Sequence, residues 1–170
     1  SMMAPPIWYE MNLTGPETNV RGVTFPWMPF VVIGENDAGA WGFTNTGADA
    51  IDFYEYETRE EEYRHGEQWR EFETEERTIS VAGGDNRTVT VRKTVHGPVL
   101  SREADGDELK NAVGVAWTGL GASRTAESIL RLNRSDGLTE ALEAMRLFDL
   151  PTQNFVYADR DGNTHYRVVG

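Results

Sequence analysis

The hydrophobic period of this chain changes twice along its length, and that restricts it to a mixed α+β fold. From Ile7 to Val95 apolar residues come in short runs separated by Gly, Pro, Asn and Asp, the pattern of strands joined by turns. Ile7 to Leu13 ends at Thr14-Gly15-Pro16, Val31-Val32-Ile33 closes at Gly34-Glu35-Asn36-Asp37, and Ala40 to Thr44 is followed by Ile51 to Glu57. Arg77 to Val81 and Thr88 to Thr94 flank Gly83-Gly84-Asp85-Asn86, which predicts a β-hairpin with Gly and Asn at positive φ. Val113 to Trp117 predicts a further strand, and the polar stretch Arg102 to Lys110 a surface loop.

The spacing then turns helical. Ala126, Ile129, Leu130 and Asn133 fall on one face, and Leu138, Leu142, Met145 and Phe148 on another. Asp136-Gly137 separates the two helices and Leu150-Pro151 ends the second. Strand patterning returns from Asn154 to Asp159 and from Thr164 to Val169, around a turn at Arg160-Asp161-Gly162-Asn163. The fold expected is therefore α+β, mostly antiparallel strands with two helices near residues 124–148.

The length of 170 residues fits one ordinary domain with a real core. Ser1-Met2 reads as an expression scar, and residues 3–170 as a single fragment of a larger protein. Two features carry that expectation: the sequence stops inside a strand pattern, and several short strands lack an obvious sequence-adjacent partner.

Acidic residues number 28 against 16 basic ones, a formal net charge of -12. Such a field repels phosphate backbones and anionic lipid, so neither nucleic acid nor membrane is an expected partner. No apolar run is long enough to span a bilayer and no signal-peptide pattern is present, which leaves export of a longer parent open. All basic residues other than Lys93 and Lys110 are arginine. Carboxylate excess with scarce lysine fits a salt-adapted protein, because concentrated salt screens self-repulsion. The absence of cysteine excludes thiolate chemistry, and His65, His96 and His165 lack the spacing of a zinc site.

Candidate chemistry sits in three places. Gly42-Phe43-Thr44-Asn45-Thr46-Gly47 is a strand ending in a small polar turn, which can present backbone N–H groups to an oxyanion. Asp49 and Asp52, with the Ile51 carbonyl between them, offer hard oxygen ligands for calcium, against the plainer reading of a solvated turn. Asp159 to Asn163 lacks the downstream bidentate glutamate of a calcium loop and reads as a hairpin turn. The acids and aromatics between Glu55 and Glu76 read as a solvated sheet edge, His96 as structural, and Trp41, Trp69 and Trp117 as packing in place of a glycan surface.

Taken in series, several segments resemble the β-subunit of the penicillin acylase family. They are Pro6 to Glu10, Val32 to Asn36, Ala40 to Asp49 continuing through Asp52 to Glu55, His96 to Val99, and Gln153 to Asn163. The resemblance runs from Pro5 to Gly170. It implies part of an autoprocessed N-terminal nucleophile hydrolase of αββα type, cleaving a linear amide through an acyl-enzyme on an amino-terminal serine. Carried onto this sequence, the Asn45 N–H is an oxyanion donor, Phe43 and Thr44 lie beside the acyl pocket, and Ile7 and Tyr9 form walls. Asp49, the Ile51 carbonyl and Asp52 align with structural calcium ligands. The implied partners are a small acyl amide and the remaining parts of the parent α- and β-subunits.

The Ser-Asn-x-Trp start expected in the family is absent, and its second oxyanion donor, an asparagine, would fall beyond Gly170. The chain alone is accordingly expected to be inactive. A histidine common in the family is Glu35 here, and a Pro-Gly pair is Pro26-Trp27. The alternative is a non-catalytic β-rich module binding calcium or protein.

Overall fold

The structure, a computed structural model, describes residues 7–100 and 111–170. The readings made for Ser1-Met2 and for the loop before Lys110 lie outside the described residues. In chain order the first strands are β1 (Tyr9–Gly15), β2 (Thr18–Thr24), β3 (Ile33–Asn36), β4 (Gly39–Asn45), β5 (Ile51–Arg59), β6 (Glu62–His65) and β7 (Gln68–Glu71). They are followed by β8 (Glu73–Ile79), β9 (Arg87–Thr94), β10 (Gly97–Leu100) and β11 (Asn111–Trp117). Helices α1 (Thr125–Asn133) and α2 (Leu138–Met145) precede β12 (Gln153–Asp159) and β13 (Thr164–Val169).

These elements form two compact units: Ser1–Ala48 with Gly121–Gly170, and Asp49–Leu120. The first holds a six-stranded antiparallel sheet, β1-β2-β3-β4-β12-β13, with both helices. The second holds a seven-stranded antiparallel sheet, β7-β6-β5-β11-β10-β9-β8. The antiparallel strands and two helices near residues 124–148 agree with the sequence expectation.

In the first unit the core joins Val20, Val31, Trp41, Phe155 and Val169 of the sheet region to Ile129, Leu132 and Met145 of the helices. Val31 seats its side chain over the paired Gly22 and Gly34. A Cβ at Gly22 would come 2.1 Å from the Ile33 carbonyl oxygen and 2.8 Å from Val31 Cγ1, so the close approach requires glycine. Helix α1 meets α2 through small residues: Ser128 is fully buried and donates to the Ala144 carbonyl at 2.8 Å. The buried face of α1 is Ser128, Ile129, Leu132 and Asn133, which corrects the expected stripe, since Ala126 and Leu130 face solvent.

Asp159 organises the β12–β13 turn. Its Oδ1 accepts from the backbone N–H groups of Asp161 and Asn163 at 3.1 and 2.8 Å, and its Oδ2 from Asn163 Nδ2 at 2.9 Å. The segment is the hairpin turn read from the sequence. In the β8–β9 hairpin only Gly83 takes positive φ, at 76°, and Asn86 does not; Val81 lies in the loop, outside β8. A seven-residue connection relieves the tight-turn geometry that would force a second left-handed residue.

In the second unit Tyr56, Tyr63, Phe72 and Ala112 form a smaller core. Among the described residues no helix is long and apolar enough to cross a membrane.

Candidate active site

Strand β4 carries Trp41 and Phe43 into the core of the first unit and ends at Asn45. The turn beyond it is shaped by Gly47, at φ 72°, and by Thr46, whose hydroxyl accepts from the Ala48 N–H at 3.2 Å and donates to the Thr152 carbonyl at 3.3 Å. Gln153 lies opposite Asn45 and donates to its Oδ1 at 2.7 Å. The Asn154 side-chain amide donates to the Asn45 carbonyl and to Thr44 Oγ1, both at 3.2 Å, and is itself held by the Tyr166 hydroxyl at 2.7 Å. Of the backbone carbonyl, side-chain oxygen and backbone N–H of Asn45, the first two are thus occupied.

The third, its backbone N–H, is placed by the ladder. Asp159 donates to the Asn163 carbonyl and Arg160 to the Ala38 carbonyl, both at 2.9 Å. Antiparallel pairs alternate between bonded and non-bonded, so Ala40, Gly42 and Thr44 bond β12 while the N–H groups of Trp41, Phe43 and Asn45 turn toward β3. Strand β3 pairs with β4 only at Trp41 and Ala40. The Asn45 N–H therefore points past the last β3–β4 pair, outside the β4–β12 ladder.

Phe43, Thr44 and Asn45 line a pocket of about 580 Å³. Its walls are mainly apolar, with Trp8, Phe25, Phe30, Ile129 and Phe148 among them, and every described lining residue is uncharged. Phe43 stacks on Phe148 with centroids 5.3 Å apart, and Trp8 on Phe25 at 4.5 Å. Of the residues proposed as walls, Ile7 and Tyr9 are exposed and do not line this pocket; Trp8 between them does. Sequence reading missed Trp8, Phe25, Phe30 and Phe148, which reach the pocket from separate segments.

In the second unit, Asp49, Ile51 and Asp52 are all exposed. Thr118 donates to the Ala50 carbonyl at 3.3 Å. By the same alternation the Ile51 carbonyl faces away from β11, and β6 pairs only with Thr58 and Arg59. That oxygen is free of the β5–β11 ladder, while the described residues gather no cluster of three or more His, Asp or Glu side chains. His96 sits among tyrosines: its Nδ1 hydrogen-bonds the Tyr56 hydroxyl and its ring stacks on Tyr54 at 3.7 Å. Burial pushes the Tyr56 hydroxyl above its ordinary pKa, against the opposing Thr94 hydrogen bond. The fold brings His65 to 5.7 Å from the His96 ring, a proximity that sequence spacing did not reveal.

An uncharged pocket rimmed by an orienting amide cluster fits the family resemblance read from the residues, and comparison with known proteins agrees. The chain belongs to the penicillin amidase family, whose model matches residues 1–170. It is 29% identical over 170 residues to a penicillin G acylase of Escherichia coli, covering 98% of this chain and 20% of that protein. An acyl-homoserine lactone acylase of Pseudomonas aeruginosa is 26% identical over 180 residues, covering 98% of this chain and 21% of the relative. A thermostable penicillin G acylase from Alcaligenes faecalis is similar in structure, with TM-score 0.77 and 27% identity over 98% of this chain and 30% of that one. The chain spans about a fifth of the length of the curated relatives it matches.

Proposed function

We infer that this chain supplies the acyl pocket and one oxyanion donor of an amidohydrolase whose nucleophile lies elsewhere in a longer polypeptide. In this reading the parent is autoprocessed, has αββα layering, and exposes an amino-terminal serine that is not Ser1 but belongs to another part of the parent. The serine hydroxyl attacks the amide carbonyl carbon, its proton passing to the serine's own α-amino group. The Asn45 N–H donates to the resulting oxyanion. Collapse breaks the C–N bond, the amine leaves with that proton, and water then hydrolyses the acyl ester. Phe43 and Thr44 contact the acyl group; Ile7 and Tyr9 would serve as walls only if the rest of the parent closes over them.

The observation that carries this reading is the state of Asn45. Its carbonyl and side chain are held by Asn154 and Gln153, and its N–H is left outside the β4–β12 ladder beside an apolar, uncharged pocket. Exclusion of charge and water is what makes a single donor effective. A structural calcium ion is part of the same proposal. Asp49, the Ile51 carbonyl and Asp52 supply three hard oxygens, with further ligands coming from the rest of the parent.

The test is to assay this chain alone and with the serine-bearing part of its parent, using phenylacetyl and long-chain acyl anilides. The reading requires no turnover alone, hydrolysis on assembly, and an acyl mass adduct on the serine. Turnover by the isolated chain that is lost in Ser1→Ala would contradict it. A parent gene without a Ser-Asn-x-Trp segment upstream would favour the non-catalytic module.

A further inference from the structure

Gln153 is the first residue of β12, on the face of the sheet that also carries the buried Phe155 and Tyr157. It is 9% exposed and lines the pocket with Phe43 and Asn45. Its side-chain nitrogen has both protons engaged, donating to the Thr152 carbonyl at 3.0 Å and to Asn45 Oδ1 at 2.7 Å. A carbonyl can only accept, so the Thr152 contact fixes which end of the carboxamide is nitrogen. The oxygen, Oε1, is held on the opposite side of the group.

Among the described residues no donor reaches that oxygen. It is also not one of the polar atoms sealed inside the fold without a partner. Oε1 is therefore accessible, and for a residue this buried the access is the pocket it lines. Of the other amide and hydroxyl side chains there, Thr44 and Asn45 are exposed. Thr125 Oγ1 is already engaged: it donates to the Leu150 carbonyl at 2.8 Å and accepts from the Asp149 and Leu150 N–H groups, both at 3.1 Å. Gln153 thus presents one buried, oriented acceptor to a mainly apolar, uncharged cavity. A plain hydrocarbon chain seated there strips water from Oε1 and leaves it unpaired. A hydroxyl on that chain restores the hydrogen bond.

The register limits where such a hydroxyl lies. Gln153 faces Asn45 across a non-bonded antiparallel pair, in which Cα atoms stand about 4.5 Å apart and side chains approach closely. The acceptor is therefore within a few carbons of a carbonyl held at the Asn45 N–H. We propose that Gln153 is a specificity-determining residue, whose Oε1 accepts from a hydroxyl near the carbonyl and selects hydroxyacyl amides over plain acyl amides. The proposal rests on the reading of this pocket as the acyl site and adds the class of acyl group it takes.

Octanoyl anilide and its 2-hydroxy and 3-hydroxy analogues test it in two measurements. Calorimetry on this chain reads binding, and kcat/KM in the assembled enzyme reads hydrolysis. At least one hydroxy analogue is expected to be preferred over octanoyl anilide by about 10-fold or more in each, the scale of one buried hydrogen bond. Gln153→Met keeps the length of the side chain without its amide. It also loses the bond to Asn45, which weakens hydroxy and plain compounds alike, so the ratio between them isolates Oε1. That ratio is expected to fall to one or below in Gln153→Met. The ratio in the unmutated chain needs no variant, so a misfolded Gln153→Met does not shield the proposal. No preference for either hydroxy analogue, no binding of any of the three, or a preference unchanged in Gln153→Met would overturn it. A hydroxyl preference in binding without hydrolysis contradicts the enzyme reading alone. Hydrolysis of all three compounds with equal kcat/KM contradicts the Gln153 proposal alone.

Discussion

The side chain of Asn133 closes both backbone groups of Val31: its Oδ1 accepts from the Val31 N–H and its Nδ2 donates to the Val31 carbonyl, each at 2.8 Å. Both residues are buried. One asparagine at the end of α1 thus replaces a strand partner for the residue that packs over Gly22 and Gly34. Asn36 extends the clasp by donating to the Asn133 and Ser135 carbonyls at 3.2 and 2.9 Å.

Asn133→Ala leaves two buried backbone groups unpaired and is expected to destabilise the chain by roughly 2–4 kcal/mol. Denaturant unfolding measures it. A loss below about 0.5 kcal/mol, the scale of an ordinary surface change, would show that the clasp contributes little.

Acid sensitivity follows from Asp159. The Asn163 side chain, then the backbone N–H groups of Asn163 and Asp161, hold its carboxyl below the usual aspartate range. A carboxylate with a depressed folded pKa stabilises the fold fully above its unfolded value, about 3.9. That contribution is lost as pH falls through the folded value. Glu61, held down by Arg92, acts in the same direction. Asp159→Asn keeps an acceptor at Oδ1 but cannot titrate, so its stability should depend less steeply on pH below about 4. Superimposable pH profiles for the two proteins would refute this.

The charge imbalance predicts a response to salt. Ion pairs such as Arg59–Glu62 and Arg92–Glu61 are partly exposed and contribute little each. Screening the surplus of 28 acidic over 16 basic residues should therefore dominate. The thermal midpoint is expected to rise in molar sodium chloride. A flat or falling midpoint would remove the case for salt adaptation.

Strands with clean alternation and explicit turn residues were legible in the sequence: β4, β5, β11 and the β12–β13 pair lie where periodicity puts them. β2 was not, because Arg21 and Gly22 interrupt its alternation, and Gly22 is explained only by contact with Ile33, Gly34 and Val31. β6 and β7 were hidden by their acidic residues, which read as a solvated edge although Tyr63 is buried in the second core. On α1, Ser128 counts as polar in any periodicity, yet it is buried because its hydroxyl finds the Ala144 carbonyl. The pocket was half legible. Phe43, Thr44 and Asn45 form one continuous motif, whereas Trp8, Phe25, Phe30 and Phe148 converge only through sheet register and helix packing. No local pattern encodes that convergence.

The most direct measurement compares Asn45→Pro with Asn45→Ala in the assembled enzyme. Proline removes the N–H and alanine keeps it, and since that group lies outside the β4–β12 ladder, neither change costs a rung there. Loss of one oxyanion donor should lower kcat about 10²–10³-fold in Asn45→Pro, with Asn45→Ala retaining most of its rate. Equal rates in the two variants, with both folded and both forming the acyl adduct, would contradict a role for this backbone N–H in catalysis.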